Sequence, residues 1–324
     1  MRQLRKATAS LLAMLWAAVL PAILYAAEPS GPLHVVVTIK PLHALVAGVM
    51  AGAGTPDLLV KGSASPHTYA LKPSDARALN HADVFFRASE LLEPFTTRIV
   101  KSLPSSVEVV TLQQVPGLAL LPRRSNATFG AHGKDADGGH GHARYVPPAG
   151  TAIDGHTWLD PRNAQAMVAR IAQVLAARDP QHAALFHANA GRLKEKLGAL
   201  DTEISHQLEP VAGKPYIVFH DALQYFERRY GLAGAGSISV APDIAPSAGR
   251  LSELRGRITA RDALCVFTEP QYAPQLVQNL VEGTPARVAT LDPEGARLTP
   301  GPDLYFTLLR RLASDLRGCL APQA

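Results

Sequence analysis

The chain has 324 residues, 47% hydrophobic and 18% charged, which is ordinary globular composition with length for two domains. Its formal charge of +5 overstates the balance: removing Arg2, Arg5 and Lys6 of the leading segment leaves 29 basic against 27 acidic residues. A near-neutral chain without an Arg/Lys-rich block argues against nucleic acid and other polyanions as partners.

In chain order, "MRQLRKATASLLAMLWAAVLPAILYAAEPS" opens with basic residues, continues as an apolar run broken at Pro21, and reaches small residues at Ala26 and Ala27. This is the pattern of a cleavable secretory signal over residues 1–27, with a membrane anchor as the rival reading. Later segments fall short of the ~18 apolar residues of a spanning helix.

From residue 34, β-rich runs alternate with helical patterns: "HVVVTI" (34–39), "DLLV" (57–60), "DVFFRA" (83–88) and "SVEVVTL" (106–112). The rhythm returns after residue 214 in "PYIVFH" (215–220), "GSISV" (236–240), "ALCVFTE" (263–269) and "ARVATLD" (286–292). Such spacing predicts βαβ crossovers and two α/β lobes with mostly parallel sheets, the first within 28–160 and the second within 213–324. An internal echo, "KPSDARALNHADVFFRASE" against "APSAGRLSELRGRITARDALCVFTE", suggests duplication, each copy running from a Pro-Ser helix start into a strand.

Between the lobes, residues 161–212 read as a helical linker. Phe186, Ala190, Leu193, Leu197, Leu200, Ile204 and Leu208 recur at intervals of three and four. That is one face of a long helix from about Gln181 to about Leu208, roughly 40 Å at ~1.5 Å per residue. It predicts a rigid spine that limits hinge opening. The stretch 123–150, rich in Gly, polar residues and His, predicts a mobile loop.

Two cysteines, Cys265 and Cys319, in a chain expected to be exported favour one disulfide. Neither belongs to a CxxC pair, which argues against a thiolate zinc site.

The twelve histidines sort by position. His187 and His206 lie off the apolar stripe of the spine and His182 at its start, all expected on the surface; His81 ends a helix and His34 opens a strand. His43 starts the first helix beside a strand end and is a weak candidate to line a site. His67, His156 and His220 differ, because each falls where a strand ends or a helix is about to begin, and ligands of open α/β sheets collect beyond the carboxyl ends of the strands. Three converging imidazoles suit a divalent metal, and Glu269 and Asp292 arrive at strand ends by the same logic. No local zinc motif such as HExxH is present.

The segments "IKPLHALVAGVM", "SASPHTYALKPSD", "DGHTWLDP", "YIVFHDALQYFERRYGL" and "LCVFTEPQY" resemble, in order and across nearly the whole chain after the signal, the zinc-uptake solute-binding proteins of bacterial ABC importers, the ZnuA group of the cluster 9 family. The resemblance implies two lobes bridged by a long helix and zinc, Zn(II), held in the cleft between them. It further implies a periplasmic monomer delivering its ion to an inner-membrane ABC permease with a cytoplasmic ATPase. Matched motif by motif, the family's ligand histidines fall on His67, His156 and His220, and an aspartate used by some relatives as fourth ligand falls on Asp292. Other relatives place a glutamate just before the first histidine; here Pro66 stands there, leaving Asp292 or water. Zinc members also carry a His- and acid-rich insertion, matched sparsely by His132, His140 and His142 with Asp135 and Asp137, either a weak second zinc site or a plain flexible loop.

Three imidazoles suit zinc, copper or nickel better than manganese, and manganese relatives carry a carboxylate where His220 stands. A broader divalent-metal carrier or a surface adhesin would share the fold. A three-histidine site with an open fourth position is also the arrangement of a zinc hydrolase or hydratase, with Glu269 as the candidate base. No GxSxG elbow accompanies it, and the reading favours a carrier over an enzyme.

Overall fold

The computed structural model describes residues 31–124, 129, 150–239, 245–260 and 263–322. The leading segment and His132, His140 and His142 lie outside them. Two four-stranded sheets form, and every strand pair is parallel. The first contains β1 (Val35–Val37), β2 (Asp57–Leu58), β3 (Val84–Arg87) and β4 (Glu108–Thr111) in the order β2-β1-β3-β4. The second contains β5 (Pro215–His220), β6 (Ala233–Ser239), β7 (Cys265–Thr268) and β8 (Arg287–Thr290) in the order β6-β5-β7-β8. The two orders are the same topology, as the internal echo suggests. Its two segments occupy equivalent places: α2 (Pro73–Asn80) before the third strand of one lobe and α7 (Ala248–Thr259) before the third strand of the other.

The strands are short and apolar on both sides because both sheet faces are covered. Val35, Val37, Val84 and Phe86 join the central core while Val36 and Phe85 face an outer cluster. In the second lobe Tyr216, Val218, Cys265 and Phe267 face the central core and Ile217, Phe219 and Val266 the other side. β6 begins at Ala233, three residues before the run the sequence marks, and takes in Gly234. A Cβ at 234 would overlap the Glu227 carboxylate, which is buried against the strand; packing, not β-propensity, makes this segment a strand.

The helical starts use different caps. Ser247 accepts from the Arg250 N–H at 3.2 Å as the N-cap of α7. Ser74 instead sits inside the first turn of α2, after Pro73; there the Asp75 carboxylate accepts from the Lys72 N–H at 2.9 Å. The sequence pattern is the same but only the second serine caps.

Residues 161–212 contain α4 (Pro161–Arg178) and α5 (Ala183–Leu208), which pack on each other. The predicted stripe of α5, from Phe186 to Leu208, is wholly buried. The C-terminal helix α9 (Leu304–Leu320) packs against both α5 and α1 (Lys40–Met50) of the first lobe. One continuous apolar core therefore runs through both lobes. Cys265 on β7 and Cys319 on α9 form a disulfide that ties the last helix to the second sheet.

Candidate metal centre

His220 is the last residue of β5, His67 lies in the loop between β2 and α2, and His156 precedes the short 3-10 turn Thr157–Leu159 that leads into α4. Asp160 caps α4 by accepting from the Arg162 N–H at 2.8 Å, and Pro161 starts it. Gly155 lets the preceding loop approach the first lobe: a Cβ there would lie 2.8 Å from Leu92 Cβ and 2.9 Å from Ser89 Oγ.

These placements bring the three imidazoles together. Their ring centroids are 5.3, 5.4 and 5.5 Å apart, a nearly equilateral triangle. One donor nitrogen from each lies within 4.8 Å of the others. His156 Nε2 and His220 Nε2 are 3.4 Å apart, close to the roughly 3.3 Å edge of a tetrahedron with zinc–nitrogen bonds of ~2.05 Å. His67 Nε2 is buried without a hydrogen-bond partner among the described residues. A buried nitrogen of this kind is costly unless something else binds it, and a cation between the rings would do so.

Carboxylates orient two of the rings. Asp154 Oδ1 accepts from His156 Nδ1 at 2.7 Å and from the His156 N–H at 3.0 Å. Glu269 Oε1 binds His220 in the same way, at 2.6 Å and 3.1 Å. With Nδ1–H donated to a carboxylate, each imidazole presents its Nε2 lone pair to the centre, the tautomer a metal requires.

Burial sets the electrostatics. It holds the pKa values of His67 and His156 well below the usual imidazole range, with the neighbouring imidazoles adding to the effect. Burial opposes charge on His220 as well, but the Glu269 carboxylate and other nearby acids outweigh it and the net direction is upward. Burial pushes Asp154 up to about 7 and Glu294 up to about 8.

The other sequence candidates lie elsewhere. Asp292 is not among the converging groups: its oxygens accept from the N–H groups of Ala296 at 2.9 Å and Arg297 at 3.2 Å and shape their own loop. Glu269 is a hydrogen-bond partner of His220, not one of the converging donors. His43 is buried in the first lobe with Nε2 on the Pro56 carbonyl at 2.9 Å. His34, His81, His187 and His206 are exposed, and His182 pairs with Asp179.

Three contributors escape the sequence reading. Asp154 stands two residues before His156 in "DGH", and that spacing is its only local signal. Arg124 pairs with Asp221 at 2.8 Å, next to His220, and with Glu227 at 2.6 Å. Tyr225, within "FHDALQYF", donates to the Asp154 carbonyl at 2.9 Å and accepts from the Leu121 N–H at 3.1 Å, fastening the His156 loop to the second lobe. None is detectable by periodicity: Asp154 acts within its own loop, and Arg124 and Tyr225 act across the lobes.

Comparison with known proteins agrees with this architecture. A family model described as "Zinc-uptake complex component A periplasmic" matches residues 35–319. The high-affinity zinc uptake system protein ZnuA of Brucella suis biovar 1 is 45% identical over 311 residues, covering 89% of this chain and 91% of that protein. The protein of the same name from Paracoccus denitrificans is 36% identical over 302 residues, covering 89% and 91%. Among solved structures, a crystal structure of ZnuA superposes with a TM-score of 0.73 at 22% identity, covering 89% of this chain and 99% of that one. A zinc-bound deletion mutant of ZnuA gives 0.73 at 23% identity, covering 90% and 99%. At these identities the structures establish a common fold, two parallel-sheet lobes joined by helices. With the family model spanning both lobes and relatives of this identity covering most of its length, the chain belongs to the ZnuA family, the periplasmic component A of zinc-uptake complexes.

Proposed function

We propose that the chain captures zinc on His67, His156 and His220 between its lobes and hands it to a membrane permease powered by a cytoplasmic ATPase. The observation that carries this reading is the trio of imidazole donors within 4.8 Å, two of them held by carboxylates in the metal-binding tautomer. Neutral imidazoles favour zinc, copper or nickel over manganese. A structural neighbour at 22% identity with a TM-score of 0.71 is a manganese complex, so the shared fold does not select the ion; the donor set does.

The same reading divides the chain into a leader, two lobes and the helical linker, and places the processed protein in the periplasm. No helix among the described residues is long and apolar enough to cross a membrane. A carrier role also suits Glu269, because the residue a hydrolytic mechanism would need as its base is engaged with His220 through Oε1.

Metal analysis of the full chain purified without chelator tests the proposal. About one tightly held zinc per chain is expected for a single closed site; a preparation that takes up no zinc when titrated with the ion overturns it.

A further inference from the structure

Between residues 292 and 298 the loop that follows β8 sorts its backbone groups by kind. The N–H groups turn inward: those of Ala296 and Arg297 donate to the Asp292 carboxylate at 2.9 and 3.2 Å, and that of Leu298 closes a turn on the Gly295 carbonyl at 2.9 Å. Gly295 makes this turn at φ 69°, in the left-handed region that glycine enters without a steric penalty. The carbonyls of Gly295, Ala296 and Leu298 face the other way and converge.

A cation of the first lobe sits where they meet. Lys40, at the start of α1, is only 5% exposed, and its Nζ donates to the carbonyls of Gly295 at 3.0 Å, Ala296 at 2.7 Å and Leu298 at 3.1 Å. An ammonium has three N–H donors and no acceptor, so this cradle satisfies it completely. Two residues before Gly295, the Pro293 carbonyl accepts from Trp158 Nε1 at 3.2 Å. The same indole packs against His156, with ring centroids 5.3 Å apart. Trp158 therefore joins the loop that Lys40 grips to a histidine of the metal centre. Where α1 and α9 meet, the lobes share apolar core, and parting them would expose hydrocarbon to water. The bonds of Lys40 can exchange for water at a small net cost, so the cradle is a joint that can open and reclose.

We infer that Lys40 is a latch on zinc release, a positioning residue whose ammonium, seated in the carbonyl cradle of Gly295, Ala296 and Leu298, holds the loop after β8 on Trp158 and so keeps His156 on the ion. This rests on the zinc-binding reading. Lys40 acts through the loop and the indole, and it gives no ligand to the metal. With the latch made, Trp158 is fixed between Pro293 and His156. With it broken, the indole loses its anchored acceptor and the imidazole beside it is freer to leave. Capture needs only the three imidazoles, so the latch governs how long the ion stays more than how fast it arrives.

Lys40→Met keeps the length of the side chain and removes the ammonium. Stopped-flow mixing of the zinc-loaded chain with excess fluorescent chelator reads the release rate, and mixing of the metal-free chain with zinc reads the association rate. The variant is expected to release zinc at least about tenfold faster, the lower end of the usual cost of losing a supporting group around a metal. Its association rate should stay within about threefold of wild type, as is usual when contacts around a bound partner are weakened. Ile258→Ala opens a cavity in the outer cluster of the second lobe and loosens the fold without reaching the cradle, so it should release zinc at the wild-type rate. Release by Lys40→Met within about twofold of wild type, a change in association as large as that in release, or equally fast release by Ile258→Ala would each overturn the assignment. Should Lys40→Met fail to fold, Trp158→Phe, which keeps a ring beside His156 and loses the Nε1 donor, decides the case by the same release criterion. A wild-type chain that binds no zinc would instead defeat the function proposed above.

Discussion

His156 and His220 approach to 3.4 Å between Nε2 atoms although one lies in the loop before α4 and the other at the end of β5. Two ring nitrogens at that distance cannot both carry protons directed at each other. Asp154 and Glu269 resolve the conflict by drawing the protons to the Nδ1 side, so the centre faces two lone pairs and the orphaned Nε2 of His67. The cluster is arranged for a cation before one arrives.

Each histidine is therefore expected to matter individually. Alanine at His67, His156 or His220 should weaken zinc binding by more than about 100-fold, beyond the ~10–100-fold typical of supporting groups. Circular dichroism should stay native, because the continuous core does not depend on these rings. If all three variants hold zinc at wild-type affinity under chelator competition, the site lies elsewhere.

Protons compete with metal for these nitrogens, and the competition should be led by His220. Its pKa is raised, with Glu269 the main favourable cause against burial, whereas those of His67 and His156 are depressed, so on acidification His220 takes its proton first. Zinc affinity should therefore already be falling as the pH drops through the ordinary imidazole range near 6.5, and should keep falling toward about pH 5. Glu269→Gln removes the group that favours the charged ring, so its pH midpoint should move down even as its affinity at neutral pH drops. A dissociation constant independent of pH between about 7 and 5 would contradict a histidine-dominated site.

Glu93 carries a separate pH signature. Burial raises its carboxyl from 4.5 to about 7. The folded state thus keeps a proton that the unfolded chain releases between those values, and stability declines as pH rises through that window. The full cost above the window is on the order of 3 kcal/mol. Glu93→Gln should be more stable than wild type near pH 8 and lose that advantage near pH 4.5, as measured by denaturant unfolding of the metal-free protein; parallel pH profiles would refute the assignment.

The Cys265–Cys319 link closes a segment of 54 residues between a strand and the last helix, both ends buried. Constraining a loop of that length stabilises by about 4 kcal/mol in the chain-entropy model. Reduction, or replacement of both cysteines by alanine, should lower the melting temperature by on the order of 10 °C. Equal melting of the reduced and oxidised protein would show that the link does not constrain the unfolded chain.

The lobes share one core through α1, α4, α5 and α9, and Lys40 and Tyr225 add hydrogen bonds between them. Opening them as rigid bodies would expose that core. Small-angle scattering should therefore give radii of gyration for zinc-free and zinc-loaded protein within about 1 Å of each other, with changes confined to loops and slight tilts. A large compaction on zinc binding would rule out a rigid spine.

What was legible in the sequence is what local chemistry and periodicity encode. The apolar stripe of α5 located the spine to within two residues because a 3.6-residue repeat leaves no other face to bury. The alternating strands announced two parallel sheets, and the positions of His67, His156 and His220 at strand and loop ends placed them on the ligand side of those sheets. Tertiary structure decided the rest. The loop after β8 turns Asp292 onto its own backbone, and Lys40 and Trp158, more than a hundred positions away in the chain, grip the carbonyls that follow it. Pairing Glu269 with His220 depends on sheet register, and β6 takes in Gly234 because Glu227 fills the space a side chain would need. These are choices made by packing and desolvation between segments distant in sequence, and no local pattern carries them.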